Sequence, residues 1–239
     1  MNLYNIVLSK LYEFKNEISK FIDQTFLKPN ADEKSIMKFI EESDPLNFRS
    51  LVIPQSYVKL ASEIAKTPIV TVISFPLGYS FTESKLKEIE LAAANGAKEV
   101  DVVSNIILIK SDKWSQYRDE IHSLINIAHS LGLKIKVIIE TGLLTRDEII
   151  KASRIIEEEG ADFIKTCTGF GPRGVIVSDI ILIKMSTRGK VGIKASGGIR
   201  TALDAITYIL MGASCIGTSS GISIVKEAEE LSQNLVIHR

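Results

Sequence analysis

Phe163-Ile164-Lys165-Thr166-Cys167-Thr168-Gly169-Phe170-Gly171 is the stretch of this 239-residue sequence on which the prediction of its fold depends. The pattern is that of a short strand ending in a glycine turn, with Lys165 among apolar residues. Charged side chains are seldom buried without a partner, so one such lysine would indicate an edge strand open to solvent. A second stretch, Gly192-Ile193-Lys194-Ala195-Ser196-Gly197-Gly198, repeats the pattern 29 residues later, about one strand–helix–strand unit. Neighbouring parallel strands would then bring Lys165 and Lys194 to one pocket.

The same alternation of strands and helices runs along the chain on both sides of these stretches. Strand patterns lie at 21–27, 50–53, 69–75, 99–105, 133–140, 163–168, 191–196 and 214–218. Helical periodicity fills the intervals at about 32–42, 55–66, 82–95, 114–131, 145–159, 176–187, 201–211 and 221–231. Three of these helices run into Gly96, Gly160 and Gly212, and glycine commonly ends a helix in the left-handed conformation.

Eight strands, each followed by a helix, predict an α/β fold, a (β/α)8 TIM barrel, as a single domain over residues 1–239. An amphipathic pattern within residues 1–20 predicts one additional N-terminal helix. The alternative is an open, doubly wound sheet. Polar residues inside several strands favour the barrel, because barrel side chains point alternately inward along each strand. The predicted inward set is Asp23, Thr25, Asp101, Lys165, Lys194 and Ser196.

The composition excludes several classes of protein. Lys and Arg together number 29, as do Asp and Glu, so neither nucleic acid nor a charged membrane surface is indicated as a partner. No apolar run is long enough for a membrane span, and no signal peptide is visible, which predicts a cytoplasmic protein. Cys167 and Cys215 lie in apolar strands, so no disulfide is expected. The three histidines have no zinc-site spacing, and we expect neither a metal nor another cofactor. Apolar residues on helices predict a homo-oligomer, a dimer or tetramer.

The two strand lysines suggest covalent chemistry. A lysine attacks a carbonyl only in its neutral form, and with a pKa of about 10.4 that form is rare at pH 7. A second ammonium group and a partly apolar pocket both lower the pKa, so one lysine could form a Schiff base while the other tunes it. Asp23 and Asp101 would point to the same place. A single inward Asp–Lys pair is more often structural, but two acids and two lysines from four strands favour catalysis.

Glycine and serine signals after the later strands predict a phosphate site. Gly169, Gly197, Gly198 and Gly217 each follow or end a strand, and Ser219 and Ser220 open the last helix. Backbone N–H groups near glycine and at helix N-termini bind anions, although ordinary turn and cap chemistry gives the same pattern. The run from Gly169 to 174 also matches the dinucleotide fingerprint, but the acid required about twenty residues later is missing.

At this point the sequence resembles the 2-deoxyribose-5-phosphate aldolase family from about residue 21 to 221. The matching segments are Ile22-Asp-Gln-Thr25, Ile73-Ser-Phe-Pro-Leu-Gly78, Glu99-Val-Asp-Val-Val-Ser-Asn105, Phe163-Ile-Lys-Thr-Cys-Thr-Gly169, Lys194-Ala-Ser-Gly-Gly-Ile-Arg200 and Gly217-Thr-Ser-Ser-Gly221. The sequence departs from the family at Gln24, where histidine is usual, and at Val52, where many members have cysteine.

The resemblance implies class I aldol chemistry: reversible cleavage of 2-deoxy-D-ribose 5-phosphate to acetaldehyde and D-glyceraldehyde 3-phosphate, a step in deoxyribose phosphate catabolism and carbohydrate degradation. It implies that Lys165 forms the Schiff base, Lys194 tunes it, and Asp101 relays protons through water. Asp23 and Thr25 would belong to the substrate site, with Asp23 paired to Lys194. The phosphate site would be formed by Gly169, Gly197, Gly198, Ser219 and Ser220, and Thr168 and Gly217 would also belong to the substrate and phosphate site. The alternatives are another Schiff-base aldolase of sugar phosphates and a non-catalytic phosphosugar-binding protein.

Overall fold

The computed structural model describes residues 17–237 and positions 10, 13 and 14; of residues 234–237 it describes the backbone alone. In that part of the chain, eight parallel strands close into a barrel in sequence order. The strands are β1 (Ile22–Thr25), β2 (Ser50–Ile53), β3 (Ile69–Ile73), β4 (Glu99–Val103), β5 (Lys134–Ile138), β6 (Phe163–Lys165), β7 (Gly192–Ser196) and β8 (Cys215–Thr218). The predicted (β/α)8 barrel is confirmed.

Helices follow each strand and surround the barrel. They are α1 (Glu33–Ser43), α2 (Val58–Ile64), α3 (Thr82–Ala94), α4 (Ile106–Lys110), α5 (Trp114–Ser130), α6 (Arg146–Glu158), α7 (Val177–Ser186), α8 (Ala202–Met211) and α9 (Gly221–Ile237). The short helix α4 was not predicted; it begins where the Asn105 side chain accepts the N–H of Ile107 at 3.1 Å. The helix predicted within residues 1–20 lies mostly outside the described residues, and its described end, Ile18–Phe21, is a 3-10 helix.

Local sequence signals account for many of the helix ends. Thr145 and Glu148 form a capping box at the start of α6, in which each side chain accepts the backbone N–H of the other. The three glycines predicted to end helices, Gly96, Gly160 and Gly212, have φ of +99°, +90° and +118°. That conformation strains other residues, so this prediction is confirmed.

The alternation of side chains along the strands separates the core from the site. Ile22, Val100, Val102, Ile164 and Ile193 are buried between the barrel and its helices. The intervening polar residues of the predicted inward set point into the barrel, where their contacts with one another are described below. In the described part of the chain, no helix has the length and apolar character needed to cross a membrane.

Several predicted strands are longer than the observed ones, because the sequence stays apolar beyond the last residues that pair in the sheet. Beyond β6 a side chain continues the pairing in place of the backbone. Thr166 Oγ1 donates to the carbonyl of Ser196 and accepts the N–H of the same residue, both at 3.0 Å. This keeps the ends of β6 and β7 together and holds their lysines side by side.

Candidate active site

Two lysines of neighbouring strands meet inside the barrel. Lys165 on β6 lies opposite Lys194 on β7 in the register of the sheet. Both ammonium groups donate to the same oxygen of Asp101 on β4, Lys165 at 2.8 Å and Lys194 at 2.7 Å. Asp101 and Lys194 are fully buried, whereas Lys165 is 4% exposed and lines a cavity above them. The structure therefore brings together the three residues predicted for catalysis, and of these three Lys165 faces the cavity.

A third buried lysine, Lys136 on β5, completes this cluster, and the sequence analysis missed it. Its Nζ donates to the other oxygen of Asp101 at 3.0 Å, forms an ion pair with Glu99, and lies 3.7 Å from a carboxylate oxygen of Asp23. The signal was present in the sequence, since Lys136 stands mid-strand between apolar residues as the other two lysines do. Asp101 is thus surrounded by three ammonium groups.

Asp23 lies one layer deeper, away from the cavity. One of its oxygens accepts from Lys194 Nζ at 2.6 Å, and the other accepts from Arg49 and from the Ser50 hydroxyl, each at 2.6 Å. Arg49 also binds Glu99 at 2.8 Å and so closes the network from below. Asp23, predicted for the substrate site, is fully buried and serves as the second carboxylate partner of Lys194.

The surroundings of the two lysines have opposite effects on their pKa values. Burial, the largest cause, lowers the pKa of Lys165; attraction by Asp101 opposes this effect and repulsion from Lys194 adds to it. Burial also penalises the charge of Lys194, but Asp101 and Asp23 outweigh it and raise the pKa. Burial opposes ionisation of Asp101, yet the three lysines hold its pKa well below the usual range. At neutral pH the site thus holds an anionic Asp101, a charged Lys194, and Lys165 as the lysine closest to neutrality.

A cavity of about 750 Å³ opens above Lys165 at the carboxyl ends of the strands, where the active sites of such barrels lie. Lys28, Lys38 and Arg200 contribute basic side chains to its wall. The wall also contains most of the predicted substrate and phosphate residues: Thr25, Thr168, Gly169, Gly197, Gly198, Gly217, Ser219 and Ser220. Glu42 also lines the cavity, but the basic residues outnumber it, so the size and lining suit a small anionic molecule.

The loops after β7 and β8 form one end of the cavity. Gly197 and Gly198 follow each other with φ of +98° and +80°, a turn that residues with a Cβ adopt only under strain. Ser219 and Ser220 lead into α9, whose N-terminus favours anions. The N–H of Gly221, the first residue of α9, donates to the side-chain oxygen of Gln24 at 2.9 Å. The residue that departs from the family pattern therefore fixes the start of this helix.

An apolar wall faces the lysines across the mouth of the barrel. The ring of Phe75 lies 5.9 Å from Lys165 Nζ and packs edge-on against Phe170, with 5.4 Å between the ring centroids. Val52 and Val72, inside the barrel, belong to the same apolar cluster as Phe75. This wall places apolar surface beside the Lys165 ammonium group.

Comparisons with known proteins agree with one another. The family model described as DeoC/LacD family aldolase matches residues 19–231. The chain is 41% identical over 221 residues to the deoxyribose-phosphate aldolase of Thermococcus kodakarensis, covering 90% of this chain and 99% of that protein. The solved structure of QR15, an aldolase, is 43% identical and superposes with a TM-score of 0.86 over 92% of this chain and 99% of its own. The tetrameric deoxyribose phosphate aldolase from Aeropyrum pernix is 28% identical, with a TM-score of 0.86 over 96% of this chain and all of its own.

Proposed function

We propose that this chain, which belongs to the DeoC/LacD family of aldolases, works through a Schiff base on Lys165. It is a class I aldolase that reversibly cleaves 2-deoxy-D-ribose 5-phosphate to D-glyceraldehyde 3-phosphate and acetaldehyde. One observation carries the assignment of residues. Lys165 and Lys194 share one oxygen of Asp101, and of these three Lys165 faces the cavity.

Formation of the Schiff base requires a neutral amine, and the site favours one at Lys165. The amine attacks C1 of the open-chain aldehyde, and the resulting carbinolamine loses water to give an iminium ion. Lys194, whose pKa is raised by its two carboxylates, stays protonated and disfavours a second positive charge beside it. Lys194 is thus assigned an electrostatic role, while Lys165 is the nucleophile.

Cleavage then breaks the C2–C3 bond of the bound sugar. The C3 hydroxyl gives up its proton, the electron pair of the C2–C3 bond moves toward the iminium nitrogen, and glyceraldehyde 3-phosphate leaves behind an enamine. Asp101 is ionised and lies 2.8 Å from Lys165 Nζ, which suits it to accept that proton through a water molecule. The enamine takes up a proton at C2, and hydrolysis of the new iminium ion releases acetaldehyde and restores the amine.

The phosphate of the substrate is assigned to the end of the cavity formed by Gly197, Gly198, Ser219 and Ser220. The helix N-terminus and the glycine turn supply N–H groups and positive potential there. Thr168 and Gly169, which also line the cavity, close this end from the side of β6.

Reduction with borohydride in the presence of acetaldehyde tests the assignment. Reduction of the imine should attach an ethyl group to Lys165 and abolish activity, and peptide mapping should locate the label. A label on Lys194 would reverse the roles of the two lysines, and the absence of any label would contradict the Schiff base. A coupled assay for glyceraldehyde 3-phosphate should detect cleavage of deoxyribose 5-phosphate; cleavage of ketose phosphates instead would favour the alternative aldolase.

We also propose that the chain is a cytoplasmic homo-oligomer. The loop between β3 and α3 exposes three large apolar side chains, Leu77 at 58%, Tyr79 at 60% and Phe81 at 82%. Light scattering coupled to size-exclusion chromatography should give a mass of at least twice the 26.4 kDa of one chain. A mass of one chain at micromolar concentration would contradict the proposal.

A further inference from the structure

Glu140, the second residue after β5, is a buried carboxylate that has no part in the proposed mechanism. It is 4% exposed, and its backbone is left-handed with φ of +49°. Among the described residues, its Oε1 has no hydrogen-bond partner. A buried carboxylate oxygen without a partner and a left-handed residue other than glycine both destabilise the fold. A side chain kept at such a position is expected to serve another purpose.

The other oxygen of Glu140 holds the turn that follows the strand of Lys165. It accepts the N–H of Thr168 at 3.0 Å and also the hydroxyl of the same residue. That hydroxyl in turn accepts the N–H of Phe170 at 3.0 Å. Gly171 packs directly against the carboxylate, because a Cβ added there would lie 2.5 Å from Oε1 of Glu140. The carboxylate therefore fixes the turn from Thr168 to Gly171.

The far end of the same loop rests on the glycine turn assigned to the phosphate. The N–H of Val175 donates to the carbonyl of Gly197 at 3.1 Å. A Cβ added to Gly197 would lie 3.1 Å from the Cα of Gly174, so the two backbones are in close contact. Arg173 secures this end through Asp179 at 2.7 Å. The loop 168–175 thus runs from Glu140 to the Gly197 turn.

We propose that Glu140 is a positioning residue for the phosphate of the substrate. By holding Thr168 and Phe170, it keeps the loop 168–175 seated on Gly197, and so keeps the phosphate end of the cavity in its binding conformation. This inference rests on the proposed function and adds a residue that does not itself touch the substrate.

Two variants separate the side chain of Glu140 from its backbone. Glu140→Gly removes the carboxylate, and glycine adopts the left-handed conformation without strain. It should raise the KM for deoxyribose 5-phosphate by about tenfold or more, the loss expected for a hydrogen bond to a charged group. Its kcat/KM for unphosphorylated 2-deoxyribose should change less than about threefold. Glu140→Gln keeps an oxygen that accepts from Thr168 and should restore the KM to within about threefold of the wild type.

Glu157→Ala is the matched control. The Glu157 carboxylate, on α6, also accepts backbone N–H groups of a loop, those of Arg188 at 2.7 Å and Lys190 at 3.0 Å, but this loop precedes β7 at the opposite end of the barrel. Its removal should leave the KM for both substrates unchanged.

An unchanged KM in Glu140→Gly, or equal losses on both substrates, would overturn the inference. Inorganic phosphate provides a test independent of catalysis. It should raise the melting temperature of the wild type and of Glu140→Gln, and raise that of Glu140→Gly less at the same concentration; equal shifts would also overturn the inference. A wild type that binds phosphate but does not cleave deoxyribose 5-phosphate would contradict the proposed function alone.

Discussion

The two carboxylate oxygens of Asp101 accept hydrogen bonds from three ammonium groups. The arrangement gives Lys165 and Lys194 different surroundings. Lys194 is held between two carboxylates, whereas Lys165 shares one of them and otherwise meets the cavity and Phe75. A lysine between two carboxylates keeps its proton, while a lysine with one shared carboxylate loses it more easily. This difference supports Lys165, the lysine with fewer partners, as the proposed nucleophile.

Replacement of Lys194 tests this electrostatic role. In Lys194→Met the repulsion is lost and Asp101 interacts more fully with Lys165, so the pKa of Lys165 should rise. Activity should fall steeply at pH 7 and recover partly by about pH 9–10, with the acidic limb of kcat/KM moved to higher pH. The pH profile of kcat/KM measures this shift.

Lys85→Met provides the matched control for that variant. Lys85 is also fully buried, where it donates to Glu120 at 3.0 Å and to the carbonyl of Val103, at the end of β4, at 2.9 Å. Its loss should destabilise the protein but removes no charge from the cluster around Asp101. The acidic limb of kcat/KM in Lys85→Met should lie at the same pH as in the wild type. If Lys194→Met is depressed by about 10²–10⁴-fold at every pH with its acidic limb unmoved, then Lys194 transfers a proton itself.

Lys136 has a structural role in the same cluster. Lys136→Met would leave Asp101, Glu99 and Asp23 with one cation fewer in a fully buried network. Breaking a buried ion pair in this way costs about 3–5 kcal/mol, which urea unfolding would detect. Lys87→Met removes the exposed pair with Glu90 and should cost less than about 1 kcal/mol. Equal losses for the two variants would mean that the buried network does not stabilise the fold.

At the scale of elements, the ends of β7 and β8 and the start of α9 build the end of the cavity to which we assign the phosphate. Each contributes through its backbone, with the Gly197–Gly198 turn and the first turn of α9 facing the same space. Gln24 on β1 ties α9 to the barrel by accepting the N–H of Gly221. The position of the proposed anion site thus depends on how the loops after β7 and β8 are placed relative to β1.

A negative charge at Ser219 should therefore disturb substrate binding selectively. Ser219→Asp places a carboxylate beside the expected phosphate, so the KM for deoxyribose 5-phosphate should rise by well over tenfold, since a lost hydrogen bond to a charged group is worth about 1.5–3 kcal/mol and repulsion adds to it. Steady-state kinetics should be measured with deoxyribose 5-phosphate and with unphosphorylated deoxyribose. The kinetic constants for the unphosphorylated sugar should change far less. Equal losses on both substrates would indicate damage to the fold. A rise in KM of the same size in Ser219→Ala would mean that loss of the hydroxyl, not the added charge, causes the effect.

At the scale of the whole molecule, closure of the barrel creates the charged interior. Asp23 on β1 and Lys194 on β7 are 171 residues apart in sequence and 2.6 Å apart in space, because both strands pair with β8 when the barrel closes. The cations around Asp23 overcome the effect of burial and hold its pKa far below the usual range, as they do for Asp101. The paired carboxylates therefore stabilise the closed barrel only while they are ionised.

This linkage predicts acid sensitivity with a definite sign. The unfolded pKa of aspartate is about 3.9 and the folded values are lower, so the stabilisation is complete above about pH 5 and is lost progressively as the pH falls below about 4. The urea midpoint should fall between pH 5 and pH 3. The urea midpoint of Asp23→Asn should be lower at pH 5 and should fall less between pH 5 and pH 3, because one of the two carboxylates no longer titrates. A midpoint that stays constant from pH 5 to pH 3 would contradict the prediction.

The sequence was sufficient to predict the order of strands and helices and three of the charged residues that meet inside the barrel. Side-chain alternation is a local property of a strand, so the inward positions of Asp101, Lys165 and Lys194 could be predicted without coordinates. The left-handed glycines at helix ends were predictable for the same local reason. By that rule Lys136 was predictable too.

The contacts between these residues were decided by the tertiary structure alone. Strand stagger and barrel closure determine that Lys165 and Lys194 share one oxygen of Asp101, and that Asp23 lies beneath the cavity. The hydrogen bonds from Thr168 to Glu140 likewise join two loops that no local sequence pattern relates. Periodicity in a sequence reports which way a side chain points, whereas its partner depends on the register between strands, which only the closed barrel defines.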